Sequence, residues 1–152
     1  MILFEGISTV NLDAKGRMAM PTRYRGDIDS YCQGQMVLTV HQDGCLLLYA
    51  APDWPEIRDK LIRLSNQLKR SRRLQRMVLG HATAVEMDGH GRILVPPTLR
   101  EFAKLEKRLV LAGVGNKFEI WNEAVWNRGC EEWLATPDDD SGLPEELENL
   151  TL

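Results

Sequence analysis

An internal repeat is the feature of this sequence that most restricts how the chain can fold. The segment STVNLDAKGRMAMPTRYR, residues 8–25, aligns without a gap with TAVEMDGHGRILVPPTLR, residues 83–100, at a constant offset of 75. The alignment superposes an aspartate, a glycine, an arginine and a proline of each copy in the same order. Self-similarity of this length indicates a duplicated structural unit. Any fold proposed for the chain must therefore contain the same unit twice.

Each copy has the pattern of a β-hairpin-like arm around a short polar loop. Apolar side chains alternate before and after the loop, which is the period of half-buried strands. Pro21 and Pro96 lack the N–H that a strand ladder needs, so each second strand should stop there or lie at an edge. Two more apolar segments follow in each copy, around Asp43-Gly44 and Gly115-Asn116, which accept the positive φ of tight hairpin turns.

Each repeat is therefore predicted to run strand, loop, strand, helical turn, strand, turn, strand. One unit of roughly 45 residues is too small to bury a good core, so the two units should interlock with pseudo-two-fold symmetry. The predicted fold class is α+β and rich in β-structure. The predicted boundaries are a first repeat at 5–52, a helical connector at 53–80, a second repeat at 81–124, and a C-terminal helix with an acidic tail at 125–152.

Helix signals occur inside the repeats and after them. Thr98 and Glu101 form a capping-box pattern for a short helix, whereas Thr22 has Arg25 at the corresponding position, so the first helix is predicted to be shorter or looser. Asp53 is predicted to cap a helical connector, whose apolar stripe consists of Ile57, Leu61, Leu64 and Leu68. A second amphipathic helix is expected after Trp121, and the segment LPEELENL, residues 143–150, is compatible with a short third one.

Composition and cysteine content indicate a folded protein of the cell interior. At 152 residues with 43% hydrophobic residues, the chain suits one domain or two small lobes. No apolar segment approaches the roughly 20 residues that span a bilayer, and the start MILFEG lacks the features of a secretory signal. Cys32, Cys45 and Cys130 form no CxxC motif, so free thiols are expected. The expected protein is soluble and intracellular, without a membrane partner.

Charge is distributed unevenly along the chain. The formal net charge is −3, but all 19 Lys and Arg lie within residues 1–128, together with only 14 of the 22 acidic residues. The body is thus basic and the final segment acidic. A bound phosphate responds to the local field rather than to the net charge, so a polyanionic partner is compatible with this composition.

The loops DAKGR and DGHGR contain two kinds of residue. An Asp after a strand bonds to the backbone two residues on, and Gly supplies a conformation that other residues disfavour, so Asp13 and Asp88 are predicted to shape the loops. Arg17 and Arg92 should lie on the face opposite the apolar residues of their strands. Each Arg either pairs with its own loop aspartate, an exposed contact worth about 0–1 kcal/mol, or binds an external partner.

The functional interpretation is that both loops enter a DNA groove. Arg contacts guanine O6 and N7 in a bidentate way, and each such pair contributes roughly 1–3 kcal/mol of discrimination. Other cations, and the glycine amides at the loop tips, can meet phosphate oxygens and set the register. The candidate DNA-binding residues are Lys15, Gly16, Arg17, His90, Gly91 and Arg92 in the loops, with Arg23, Arg25 and Arg100 beyond them.

Other patterns with chemical potential are weaker. The basic segment LKRSRRLQR, residues 68–76, suits a solvated helix face or a subunit contact as well as a phosphate contact. GHGR lacks the Walker pattern, the three histidines are scattered, and Cys45 and Cys130 have no evident His partner. The sequence therefore predicts neither an enzyme nor a metal or cofactor site, and no small-molecule substrate.

The chain resembles the MraZ family of bacterial transcriptional regulators. The resemblance rests on the two DxxGR loops, the early STVNLDAKGR, GHA at 80–82 and NKFEIW at 116–121, and covers nearly the whole chain. It implies a swapped-hairpin β-barrel of the AbrB type, built here from two tandem repeats. It also implies a DNA-facing surface formed by the residues of the DxxxR motifs, namely Asp13, Lys15, Gly16, Arg17, Asp88, Gly91 and Arg92.

The function implied by this resemblance is repression of the protein's own promoter and of the adjoining division and cell-wall gene cluster. Such a protein is expected in the cytoplasm at the nucleoid, as a ring-like homo-oligomer on short G-containing direct repeats of double-stranded DNA. His90 is mostly uncharged at neutral pH, so the first loop is expected to bind more strongly than the second. The rival interpretation is a non-enzymatic assembly or adaptor protein, antitoxin-like in one form, that binds a protein partner.

Overall fold

The structure, a computed structural model, describes residues 1–136. The first repeat and the connector contain the following elements: β1 Phe4–Asn11, β2 Arg17–Ala19, α1 Thr22–Cys32, β3 Gln35–Val40, β4 Leu46–Ala50, α2 Trp54–Ile62 and α3 Lys69–Val78. The remainder contains β5 Thr83–Glu86, β6 Arg92–Leu94, α4 Pro97–Phe102, β7 Arg108–Gly115, β8 Phe118–Asn122 and α5 Glu123–Ala135. The predicted helix at 143–150 and most of the acidic tail lie outside the described residues.

The two repeats exchange strands. Six strands form one sheet in the order β1-β7-β8-β4-β3-β5, and β2 pairs with β6 in a second, two-stranded sheet. Exchanging each strand with its equivalent in the other repeat gives the same order read backwards. In the small sheet Met18 lies opposite Ile93, its own equivalent at the 75-residue offset. The predicted pseudo-two-fold interlocking is therefore confirmed, and the local axis passes between these two residues.

Two isolated bridges connect the small sheet to the ends of the large one. Leu12 pairs with Met18 where β1 turns into β2, and Met87 pairs with Ile93 at the equivalent place in the second repeat. The strands thus surround an inner core. In the barrel expected of the AbrB type, the small sheet and the large sheet are joined by single bridges at these two places. Strand β2 ends at Ala19 and β6 at Leu94, before the prolines, as predicted.

Both faces of the large sheet are covered over its central strands, whereas most of β1 at its edge is exposed. Its inner face packs on β2, β6, α1 and α4, where Phe118 stacks on Phe4 at 4.0 Å between ring centroids and meets Tyr24 edge-on at 4.9 Å. Its outer face carries a second cluster, which includes Tyr49 and Trp121 and is covered by α2, α3 and α5. The helices that follow each repeat therefore close the side of the sheet away from the loops of the small sheet.

The prediction that the first repeat's helix is the shorter one is wrong. Helix α1 has 11 residues and α4 has six. Within the described chain neither receives a side-chain cap, because Pro21 and Pro96 occupy the N-cap positions. Tertiary packing decides the lengths instead: α1 buries Tyr24, Ile28 and Cys32 at steps of four residues, whereas α4 ends just before Lys104 adopts a φ of 53°.

The connector is helical but is not one helix. Residues 63–68 separate α2 from α3, and Gln75 Nε2 joins them by donating to the Leu61 carbonyl at 2.9 Å. Ser65, which favours turns over helix interiors, accepts the Gln67 N–H within the break. Leu68, predicted to belong to the apolar stripe, is 61% exposed because it lies at the start of α3. Asp53 lies at the N-cap of α2, but its carboxylate accepts from the Ile2 N–H and the Tyr31 hydroxyl instead.

The three cysteines are free thiols, as expected. Cys32 and Cys45 are buried and Cys130 is half-buried, and burial raises the pKa of both Cys32 and Cys45 above the usual value. Their thiols are therefore packed in the neutral form. Among residues 1–136 there is no helix with the length and apolar character that a membrane crossing requires.

Candidate nucleic-acid interface

The first polar loop, residues 13–17, is held closed by Asp13. Its Oδ1 accepts the backbone N–H groups of Lys15 and Arg17, each at 2.9 Å, and its Oδ2 accepts Nε of Arg17 at 2.8 Å. The Gly16 N–H donates to the Asp13 carbonyl at 3.0 Å, and Gly16 has a φ of +85°. Because the amide of this buried glycine is used inside the turn, Gly16 contributes loop shape rather than a free donor at the tip.

The second polar loop, residues 88–92, repeats this backbone arrangement. Asp88 Oδ1 accepts the N–H groups of His90 and Arg92 at 2.9 Å, and the Gly91 N–H donates to the Asp88 carbonyl at 3.0 Å. The side-chain contact differs, because Arg92 Nε lies 3.5 Å from Asp88 Oδ2 and forms no hydrogen bond within residues 1–136. The two loops thus share the same backbone hydrogen bonds but differ in how the arginine side chain contacts the aspartate.

Both loop aspartates are stabilised as carboxylates. Hydrogen bonds lower the pKa of Asp13 below 3.8, chiefly the Arg17 N–H, with partial desolvation opposing them. The pKa of Asp88 is lowered mainly by the Arg92 N–H, again against desolvation, but in the described part of the chain Asp88 accepts no side-chain hydrogen bond like the one that Arg17 donates to Asp13. At neutral pH both side chains are therefore ionised and hold their loops closed.

We expect both loops to open only in acid. A carboxylate whose pKa is lower in the folded state contributes stability that is complete above its unfolded pKa and is lost as the pH falls through its folded pKa. For both aspartates this interval lies below 3.8. Following the carboxyl carbons by NMR during an acid titration should show both groups titrating below that value. A carboxyl that titrates at its ordinary value would contradict the loop geometry.

The small sheet brings the two loop arginines together on one surface. Arg17 lies opposite Leu94, and Ala19 lies opposite Arg92, so these four residues share one face while Met18 and Ile93 point into the core. Arg17 and Arg92 are diagonal neighbours, at a Cα spacing of about 7–8 Å. The prediction that both arginines face away from the apolar residues is confirmed. Leu94, 55% exposed between them, was missed as a candidate although strand alternation places it on this face.

Each loop arginine forms an ion pair with the aspartate of its own loop, as the alternative interpretation predicted. The Arg17–Asp13 and Arg92–Asp88 pairs measure 2.8 and 3.5 Å. These pairs involve Nε alone, and in the part of the chain that the structure describes the side-chain hydrogen bonds of Arg17 are confined to Asp13. The terminal guanidinium nitrogens are therefore compatible with an additional external acceptor.

The three arginines of the neighbouring helices occupy different positions. Arg23, in α1, extends its side chain across β1: its Nη2 donates to Ser8 Oγ at 2.6 Å and to the Tyr24 hydroxyl at 2.9 Å. Arg25 and Arg100 lie against the loops of the small sheet, in contact with Gly91 and Gly16 respectively. The structure therefore groups Lys15, Arg17 and Arg100 at one loop and His90, Arg92 and Arg25 at the other, with Arg23 apart.

The surroundings of the two loops differ in charge. The Leu12 N–H donates to the Lys107 carbonyl beside the first loop, and the equivalent Met87 N–H donates to that of Gly34 beside the second. Lys107 also lines a groove with Asp13 and Glu106. Sequence reasoning missed Lys107. These two bonds make Lys107 the equivalent of Gly34, at an offset of 73 rather than 75. The first loop is thus bordered by Lys107 and Glu106, whereas the second has Gly34 at the position of Lys107.

Comparisons with known proteins agree with this architecture. The family model described as "MraZ protein, putative antitoxin-like" matches the chain twice, at residues 3–77 and 78–140. A protein named transcriptional regulator MraZ from Thioalkalivibrio sulfidiphilus is 49% identical over 150 residues, which are 99% of this chain and all of the relative. Proteins of the same name from Methylococcus capsulatus and Pseudomonas aeruginosa are 51% and 47% identical, over 87% and 99% of this chain and 87% and 100% of their own lengths.

Proposed function

This chain belongs to the MraZ family of transcriptional regulators, and from that premise we propose that it is a sequence-specific DNA-binding repressor. Its targets are its own promoter and the adjoining division and cell-wall gene cluster. It acts in the cytoplasm at the nucleoid, without catalysis, as a ring-like homo-oligomer on short G-containing direct repeats.

The observation that carries this proposal is the shared outer face of β2 and β6. Two arginines at a diagonal spacing of about 7–8 Å point outwards from rigid loops on this face. A two-stranded β-ribbon fits the major groove of DNA, and arginine is the side chain that binds guanine O6 and N7 with two hydrogen bonds. In this arrangement Arg17 and Arg92 read guanines. Asp13 holds the Arg17 side chain by a hydrogen bond before DNA arrives, whereas within residues 1–136 the Arg92 side chain has only an ion pair at 3.5 Å with Asp88.

Phosphate contacts come from exposed cations around this face. Lys15 is exposed at the first loop tip, and His90 takes its place in the second. This difference supports a stronger contribution from the first loop to binding. Arg23, whose side chain lies against Ser8 of β1, is suited to a phosphate outside the central base pairs. These contacts set register and orientation rather than sequence.

Self-association is supported by an apolar patch on the outer face of β1 and β7. Leu3 is 64%, Ile7 54% and Val114 42% exposed there, and Val114 lies opposite Glu5, between Leu3 and Ile7. Burying such a patch between copies of the chain would stabilise a ring. Several subunits on tandem repeats then multiply modest single contacts through effective concentration.

The adaptor alternative is favoured by one observation, the exposure of Trp133 and Leu134 on α5, at 56% and 90%. Exposed apolar side chains at a helix end suit a contact with another protein. A gel shift with DNA from upstream of the protein's own gene separates the two functions, because an adaptor does not retard this DNA.

Footprinting of that upstream region tests the proposed function directly. We expect the wild type to protect short direct repeats that contain guanine, and the Arg17→Ala variant to protect them only at higher concentration. The affinity should also fall with salt, with a log-log slope of about −0.9 for each phosphate neutralised. Uniform protection with no preferred repeats, or an affinity independent of salt, would contradict sequence-specific binding through basic loops.

A further inference from the structure

Two equivalent arginines, Arg25 and Arg100, each pack on a loop of the opposite repeat. A methyl group added at Gly91 would lie only 2.2 Å from Nε of Arg25, and one at Gly16 only 2.6 Å from Cζ of Arg100. Atoms in proteins do not approach so closely, so each guanidinium rests directly on the α-carbon of a glycine. Arg25 and Arg100 are equivalent at the 75-residue offset, and so are Gly16 and Gly91. The pseudo-two-fold axis therefore relates the Arg25–Gly91 contact to the Arg100–Gly16 contact.

Backbone hydrogen bonds strengthen the same cross-repeat contact. The Met20 N–H donates to the Gly91 carbonyl and the Val95 N–H to the Gly16 carbonyl, both at 2.8 Å. Arg25 Nε in turn donates to the Met20 carbonyl at 2.8 Å. In each repeat, the residue that follows the strand of the small sheet, together with the next helix, therefore packs against the polar loop of the other repeat.

We propose that Arg25 and Arg100 are positioning residues, each of which orients the DNA-binding loop of the opposite repeat, rather than phosphate ligands. The inference rests on the proposed function and assigns these two arginines a role different from that of Lys15. A phosphate ligand needs only an accessible positive charge. Here both side chains are half-buried, and their planar groups cover glycines that carry no side chain of their own. A lysine would keep the charge but could not cover the glycine in this way.

The two loops are fixed by different guanidinium hydrogen bonds. In the first loop Arg17 Nε is bonded to Asp13, while the Nε of the overlying Arg100 has no acceptor among residues 1–136. In the second loop the overlying Arg25 Nε is bonded to the Met20 carbonyl, while Arg92 Nε has no acceptor within the same residues. Among the described residues, each loop therefore has one arginine with a hydrogen-bonded Nε. In the first loop it is the loop's own Arg17, and at the second loop it is the overlying Arg25.

A double-mutant cycle on the protein's own upstream DNA tests the inference. Arg100→Lys should lower the DNA affinity in the wild-type background. When Arg17 is already alanine, the same substitution should cause a loss of affinity about 2- to 100-fold smaller, the coupling typical of residues in contact. The matched control is Arg100→Lys with Arg92→Ala, where the two losses should multiply independently. Arg25→Lys should show the reverse preference, with coupling to Arg92 and none to Arg17.

The salt dependence distinguishes positioning from phosphate contact. Arg100→Lys and Arg100→Gln should weaken binding to similar extents with an unchanged salt slope. The inference is overturned if Arg100→Lys binds like the wild type while Arg100→Gln loses affinity and its slope becomes shallower by about 0.9, the signature of one lost phosphate contact.

Amide hydrogen exchange in the DNA-free protein provides a readout that does not depend on DNA binding. Arg100→Lys should accelerate exchange at Lys15 and Arg17, and Arg25→Lys at His90 and Arg92, with an unchanged melting temperature. Exchange that rises equally in both loops, or in neither, overturns the inference. If each variant accelerates exchange only in the loop of the opposite repeat, but neither the wild type nor any variant binds the upstream DNA, the loop positioning stands and the proposed function fails.

Discussion

Replacing Arg17 and Arg92 together by alanine is expected to lower the affinity for the promoter repeats by roughly 30-fold or more. Each bidentate arginine–guanine pair contributes about 1–3 kcal/mol, and 1.4 kcal/mol corresponds to a factor of ten. The two side chains share the outer face of the small sheet, so the double variant removes both base contacts from one subunit. In an oligomer the loss repeats at every subunit. Fluorescence anisotropy with labelled operator DNA measures it, beside a scrambled duplex of the same length.

The matched control for this variant removes two positive charges elsewhere. Arg58 and Arg63 are exposed on α2 and just after it, on the helical side of the large sheet, and alanine at both positions should change the affinity little. The loop variant should also keep its melting temperature and oligomer size, because neither arginine is part of the core. A double loop variant that still prefers operator over scrambled DNA by the wild-type ratio would remove these residues from the reading site.

The largest effect on stability is expected from Phe118→Ala, at about 3–5 kcal/mol. Phe118 is fully buried in the inner core, where it stacks on Phe4 of β1 and meets Tyr24 of α1. Both neighbours belong to the first repeat and Phe118 to the second, so the cavity would open at the junction of the repeats. Since natural domains are stable by only about 5–15 kcal/mol, the variant should lose much of its stability. Urea unfolding at matched protein concentration measures the loss.

Ile62→Ala is the matched control for the core variant. Ile62 is the last residue of α2 and is 57% exposed, so its truncation should cost much less than that of Phe118. A Phe118→Ala protein that unfolds at the same urea concentration as Ile62→Ala would show that the aromatic cluster does not hold the repeats together.

The fold was predictable from sequence where a pattern was repeated. The duplicated Asp13-to-Arg17 and Asp88-to-Arg92 segments predicted two equivalent loops, and alternation predicted that Met18 and Ile93 point inwards. Both features are local consequences of strand period and turn chemistry. The interlocking followed from the small size of each unit, and the strand pairing between repeats shows it.

Features that depend on packing between distant segments were missed. The relative lengths of α1 and α4 follow from what each helix buries rather than from Thr22 or Thr98, and the connector breaks at 63–68 although its apolar spacing continues. The contact of Arg100 with Gly16 joins residues 84 positions apart, and no local pattern encodes it. Alternation was sufficient to place Arg17 and Arg92 on the surface, but it does not show that each loop packs against an arginine of the opposite repeat.

The exchange of strands between repeats also determines when this protein can fold during synthesis. Strand β1 leaves the ribosome well before β7, its neighbour in the sheet, in which Gly115 pairs with Phe4. Long-range pairing of this kind is slow and exposes unpaired strand edges until it is complete. The sheet cannot close before most of the chain has been translated, so a truncated nascent chain has no finished half that could act alone.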